Sequence, residues 1–227
     1  MINAVLYSDQ GIPANEKIDA RLVAIMKARG RRVGYIPAGP DRRRRLFSLM
    51  KAHYLRYGLD FAIFHDPDHP HSRAELDALL ACDAIHLSGG DTTRFLLTLR
   101  RSGLLDLLRT WAQNGGVLIG TSAGAIMMTP TIAVDALFQN ERPEDVKDGA
   151  ALHLLPFEFF PHLQAEPGYL RALIAYSAHN SRPILACRDG EGVVVTEGRV
   201  ECIGDVLRLF DGTITRDKTI PLERFNP

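Results

Sequence analysis

Short apolar runs alternate along the first half of the chain with longer stretches whose apolar residues recur at helical spacing. Residues 4–7, 33–36, 61–64, 84–87 and 117–119 are predominantly apolar segments of strand length, interrupted only by His86, the pattern of strands covered on both faces. Between the first two, Ile18, Leu22, Ile25 and Met26 share one face of a helix spanning residues 15–29, which Gly30 stops. Asp41 is placed to cap a helix reaching about Tyr57, and Ser72-Arg-Ala-Glu75 has the capping-box form for a helix running to Leu80. Residues 92–99 and 104–111 are helical by the same spacing. This strand–helix alternation predicts an α/β fold: a doubly wound, mostly parallel sheet flanked by helices.

After Ile132 the rhythm loosens. Residues 138–150 are polar and read as loop, whereas 183–186, 192–196 and 199–203 read as short strands with turns at Asp189-Gly190 and Glu197-Gly198. They predict a small C-terminal β meander, and one domain is expected over residues 1–227. The composition, 46% apolar and 24% charged, supplies enough hydrophobic material for such a core. Lys plus Arg equals Asp plus Glu at 27 each, so no net field draws the chain to nucleic acid or to an anionic membrane, and neither is expected as a partner. The apolar run at the N-terminus reads as a first core strand rather than a leader. Cys82, Cys187 and Cys202 form no CxxC pair, which excludes a disulfide framework and a cysteine zinc site; Cys82 and Cys187 read as core, and a cytoplasmic location is expected. A homodimer is left open.

Gly120-Thr-Ser-Ala-Gly124 has the G-x-S-x-G form, follows an apolar strand and precedes the helix-compatible run of residues 125–128. That context is the one a nucleophile elbow requires: the glycines allow a sharp turn that exposes the Ser122 hydroxyl, and the amide of Ala123 is placed to stabilise an oxyanion. A second glycine turn, Leu87-Ser-Gly-Gly-Asp91, also follows a strand. Both turns belong at the carboxyl ends of parallel strands, so amides of Gly89 or Gly90 are candidates for the other half of an oxyanion hole. Asp91 reads either as a substrate contact or as the N-cap of the next helix.

A serine nucleophile needs a histidine within hydrogen-bond reach and an acid to orient it. Of the eight histidines, His162 stands out because it follows the aromatic, strand-like run Phe157-Glu-Phe-Phe-Pro161. Asp189 and Glu191 follow at the end of a later strand, and Asp135 lies shortly after Ser122; all three are candidate acids. His65-Asp-Pro-Asp-His-Pro-His71 reads as an irregular turn rather than a metal site, and Arg42 to Arg45 as a solvated helix face. No metal and no organic cofactor is expected.

With Ser-Gly-Gly-Asp91, Gly-Thr-Ser-Ala-Gly-Ala125, Pro130-Thr131-Ile132, Phe-Phe-Pro-His162 and Arg-Asp-Gly190 in this order, the chain resembles the peptidase E (aspartyl dipeptidase) family of serine peptidases over about residues 1–210. The resemblance implies a fold like that of class I glutamine amidotransferases and a triad in the chain order nucleophile, histidine, acid. It makes Ser122 the nucleophile, His162 the general base and Asp189 the acid, with short peptides as substrates. Three features depart from the family pattern. Ser88-Gly-Gly-Asp91 stands where Gly-Gly-Gly-Asn is typical, Asp189 is one methylene shorter than the usual Glu, and Arg171 is the one arginine where an Arg-rich helix would recognise an acidic residue. Strict Asp-X specificity is therefore not expected. Two competing readings are an α/β-hydrolase-type esterase using Ser122, Asp148 and His179, and a catalytically silent binding or sensing module on the same fold.

Overall fold

Alternation within the strands sorts the core into two layers. Along β1 (Asn3–Tyr7), Ala4 and Leu6 pack into one layer and Val5 and Tyr7 into the other, and all four are fully buried. The computed structural model describes residues 1–11 and 13–225. In it β1 is followed by α1 (Glu16–Lys27), β2 (Arg32–Ile36), α2 (Arg45–Leu55), β3 (Asp60–Phe64), α3 (Arg73–Leu80) and β4 (Ala84–Leu87). Then come α4 (Thr92–Arg101), α5 (Leu104–Gln113), β5 (Val117–Thr121) and the single turn α6 (Ala123–Ile126).

These strands and three later ones form a sheet in the order β12-β9-β8-β1-β5-β4-β2-β3, where β8 is Gly192–Thr196, β9 is Arg199–Ile203 and β12 is Thr219–Pro221. Every pairing from β1 to β3 is parallel, and those from β1 to β12 are antiparallel. One face is covered by Ile18, Leu22 and Met26 of α1 and Tyr54 of α2. The other is covered by α4, α5 and a second sheet, ordered β11-β10-β7-β6, of β6 (Glu158–Phe160), β7 (Ile184–Ala186), β10 (Leu207–Phe210) and β11 (Thr213–Thr215). Between β6 and β7, which are parallel, runs α7 (Tyr169–Ser177).

The capping box of α3 forms as the sequence pattern predicts, with Ser72 and Glu75 exchanging hydrogen bonds. Asp41 also caps, accepting from the amides of Arg45 at 2.7 Å and Phe47 at 3.1 Å, but α2 starts only at Arg45 because Arg44 adopts a left-handed conformation. The helix after the elbow is shorter than its apolar run predicts and ends at Ile126, and 3-10 turns at Ala133–Gln139 and Pro143–Asp145 order part of the polar stretch. The C-terminal meander is divided: β8, β9 and β12 extend the main sheet while β7 pairs within the second. Strands β10, β11 and β12 are three or four residues long with at most two buried positions each and none in β11, too little apolar pattern to be read in advance. No helix among the described residues is long and apolar enough to cross a membrane.

Candidate active site

Three adjacent parallel strands, β1, β5 and β4, end side by side, so the residues that follow them, Ser8, Ser122 and Ser88 to Gly90, gather at one carboxyl edge. This is where open α/β sheets place their ligands. Ser122 sits at φ 50 and ψ −112, a conformation that costs a non-glycine residue about 1–3 kcal/mol. Its flanking glycines are required by contact. A side-chain carbon on Gly120 would stand 2.5 Å from the Gly124 carbonyl oxygen, and one on Gly124 would stand 2.0 Å from the Leu87 carbonyl oxygen. The elbow is thereby pressed against the end of β4. The Ser122 amide donates to the Tyr7 carbonyl at 3.0 Å and the Ser122 carbonyl accepts from Ala125 and Ile126, so backbone bonds hold the strained residue on both sides.

The second sheet brings the other two groups. Phe160 pairs with Ala186 in the parallel register of β6 and β7, so the chain leaves both strands at the same end, towards His162 and Asp189. His162 Nε2 lies 2.9 Å from Ser122 Oγ, and His162 Nδ1 lies 2.6 Å from Asp189 Oδ1. The His162 side chain is 30% exposed and that of Asp189 45%, so the pair opens to solvent. Phe138 packs edge-on against the imidazole at 6.2 Å and is itself stacked on Phe160.

The three candidate acids separate. Asp189 touches the imidazole. Glu191 instead accepts from the amides of Arg188 and Asp205, each at 2.8 Å, which closes its own loop. Asp135 accepts from the Thr92 hydroxyl, and burial holds its carboxyl above the usual range. His179 stands just past α7 beside a different cavity, and the structure does not bring it to Ser122. The second glycine turn does reach the elbow: a side-chain carbon on Gly89 would stand 3.5 Å from Ser122 Cβ. Among the described residues no group accepts a hydrogen bond from the amides of Gly89, Gly90 or Ala123. Asp91 accepts from the Arg94 amide at 2.8 Å and so caps α4, and Arg171 is exposed on α7 without an ion pair among the described residues.

Sequence reading missed Ser8. Its buried hydroxyl accepts from the His162 amide at 2.8 Å and stands 3.3 Å from the Cys187 carbonyl and 3.4 Å from Asp189 Oδ1. A single side chain at the end of β1 thus aligns both segments of the second sheet. Asp9 supports the same loop by accepting from the Gly190 amide at 2.7 Å, and Gln164 accepts from the Asp189 amide at 3.0 Å. The available signal was positional: Ser8 follows β1 as Ser122 follows β5. Cys187 sits against this cluster but is wholly buried, which pushes its thiol well up and leaves it a packing residue.

Comparison with known proteins places these features in context. The model of peptidase family S51 matches residues 5–203. Peptidase E of Streptomyces coelicolor is 27% identical over 174 residues, covering 73% of this chain and 67% of that protein. An uncharacterized peptidase of Pasteurella multocida is 36% identical over 93 residues, covering 40% of this chain and 45% of that protein. Among solved structures, one from Listeria monocytogenes provisionally described as peptidase E superposes with a TM-score of 0.65 at 22% identity, covering 89% of this chain and 98% of that one. A peptidase from an acI-B1 Actinobacterium gives a TM-score of 0.71 at 17% identity, covering 97% of each chain. These two likenesses are of fold.

Proposed function

We propose that this chain, which belongs to peptidase family S51 and is a peptidase by that membership, hydrolyses short peptides through an acyl-enzyme formed on Ser122. The observation that carries the reading is the continuous line of contacts from Ser122 Oγ through the His162 ring to Asp189. With Nδ1–H donating to Asp189, Nε2 is left as the acceptor for the serine proton. Ser122 Oγ then attacks the peptide carbonyl while its proton moves to Nε2. The C–N bond breaks as His162 returns that proton to the leaving amine. Water, activated by the same ring, cleaves the ester and restores the hydroxyl.

The negative charge that develops on the carbonyl oxygen would be met by the amide of Ala123 and by those of Gly89 or Gly90, a contribution worth about 100-fold to 1,000-fold in rate per donor in comparable sites. Asp189 holds the imidazole in the right tautomer and stabilises its protonated form. The chain order nucleophile, histidine, acid differs from that of α/β-hydrolase esterases, and His179 and Asp148 take no part. The strain at Ser122, kept at a cost in stability, favours an enzyme over a silent binding module.

An activity-based fluorophosphonate probe tests this. Labelling of the native protein is expected, with loss of labelling in Ser122→Ala and a fall in peptide hydrolysis of roughly six orders of magnitude. Absence of labelling, or labelling that persists in Ser122→Ala, would overturn the assignment.

A further inference from the structure

Beside Ser122 lies a cavity of about 290 Å³. Ser88 and Gly89 from the end of β4 and Thr121 from the end of β5 line its side towards the nucleophile, while Leu46 and Met50 of α2 line another. Among the described lining residues none is a lysine, arginine, aspartate or glutamate, and the exposed lining is almost entirely carbon.

The hydroxyls of Thr121 and Ser88 that border it already have partners, whereas the buried His86 Nδ1 has none among the described residues. The Thr121 hydroxyl donates to Gln10 Oε1 at 2.6 Å and lies 3.2 Å from His86 Nε2. The Ser88 hydroxyl accepts from the Ala38 amide at 2.7 Å and donates to the Gly89 carbonyl at 3.0 Å. His86 is buried, and desolvation pushes its pKa down to about 3, so it offers no cation to an acidic group. Leu46 is 53% exposed, an apolar side chain left facing solvent at the cavity.

Gly89 connects this cavity to the reaction, because it both lines the cavity and adjoins Ser122. A substrate carbonyl oxygen held at the Gly89 amide would bring the side chain of its own residue close to the cavity that Gly89 lines. We infer that the cavity is the specificity pocket for the residue that donates the scissile carbonyl, and that it selects an apolar side chain such as leucine or phenylalanine over an acidic one. The inference rests on Ser122 being the nucleophile. An aspartate there would lose its hydration without meeting a positive charge, whereas an apolar side chain would cover Leu46 and Met50.

Covalent inactivators separate this inference from the reading on which it rests. Diisopropyl fluorophosphate carries no amino-acid side chain and reports the nucleophile alone. α-Aminoalkyl diphenyl phosphonates of leucine, phenylalanine and aspartate report the pocket through their rates of inactivation. The leucine and phenylalanine reagents are expected to react at least about tenfold faster than the aspartate reagent, the scale on which apolar pockets discriminate. Leu46→Arg, at a site exposed enough to tolerate it, should narrow that ratio by about fivefold or more, and Met50→Lys serves as a second variant. Reaction with the fluorophosphate together with an equal or faster aspartate reagent would overturn the apolar pocket while leaving the nucleophile standing. So would a ratio unmoved by both variants. Failure of the fluorophosphate itself would remove the nucleophile reading.

Discussion

The main sheet and the second sheet both end parallel strands at the site, but they hold their side chains there by different means. Ser122 is positioned within a few residues of chain: Gly120 and Gly124 permit a turn that no side chain could accompany, and backbone hydrogen bonds lock it to β1 and its own helix. His162 and Asp189 come from the second sheet and are aligned by Ser8, which lies 154 residues before His162. One contribution is a local steric device, and the other is a long-range polar contact. The first should therefore fail through stability, and the second through catalytic efficiency in a protein that still folds.

The largest effect expected is at the elbow. Gly124→Ala drives a methyl into the Leu87 carbonyl and should lower unfolding stability by about 3 kcal/mol, the upper range for overpacking. The same change at Gly168, where the backbone is already helical and open space surrounds the position, should raise it by about 0.5 kcal/mol. Denaturant midpoints measure both, and equal losses at the two positions would dissolve the contrast.

Next comes Ser8→Ala. It leaves the His162 amide without its acceptor, a loss of about 1–3 kcal/mol for a buried donor. If that loss is felt as misalignment of the imidazole, kcat should fall by about tenfold to 100-fold with little change in KM, and Ser8→Thr should recover part of it. A change confined to melting temperature would make Ser8 a packing residue alone.

The smallest effect expected is a difference in pH response. On the main sheet, desolvation lowers the His86 pKa to about 3, so between its unfolded value near 6.5 and that folded value the unfolded chain binds the extra proton. Stability contributed by neutral His86 is complete above about pH 6.5 and is lost on acidification at about 1.4 kcal/mol per pH unit. On the second sheet, burial raises the Glu158 carboxyl, so its contribution has the opposite sign: present below its unfolded value and lost as pH rises through the folded one. Denaturant titrations at pH 7 and pH 5 should show His86→Gln flattening the acid loss and Glu158→Gln steepening it at the acid end. Parallel curves for the two variants would contradict these opposite signs.

Legibility followed the range of the interactions. The parallel strands, the capping box of α3 and the elbow were all readable because each is written in a short window: predominantly apolar residues, a serine three positions before a glutamate, two glycines around a serine. His162 could be nominated from its aromatic strand and proline. The division of the C-terminal strands between two sheets could not, because β7 and β8 are both short apolar runs, and only the partners available in space decide which sheet each joins.

From the residues alone the choice among three acids was undecided for the same reason, and only the family resemblance pointed to Asp189. Asp135, Asp189 and Glu191 have equivalent chemistry, and nothing in their spacing states that Glu191 turns to the amides of Arg188 and Asp205, that Asp135 turns to Thr92, and that Asp189 alone meets the imidazole. By itself the sequence determined the parallel strands and the glycine elbow that presents Ser122, since these depend on local sterics and periodicity. Tertiary structure decided which carboxylate meets the His162 imidazole, the contacts of Ser8 and the uncharged cavity beside Ser122, since each is made by side chains that meet only after distant strand ends have been brought to one edge.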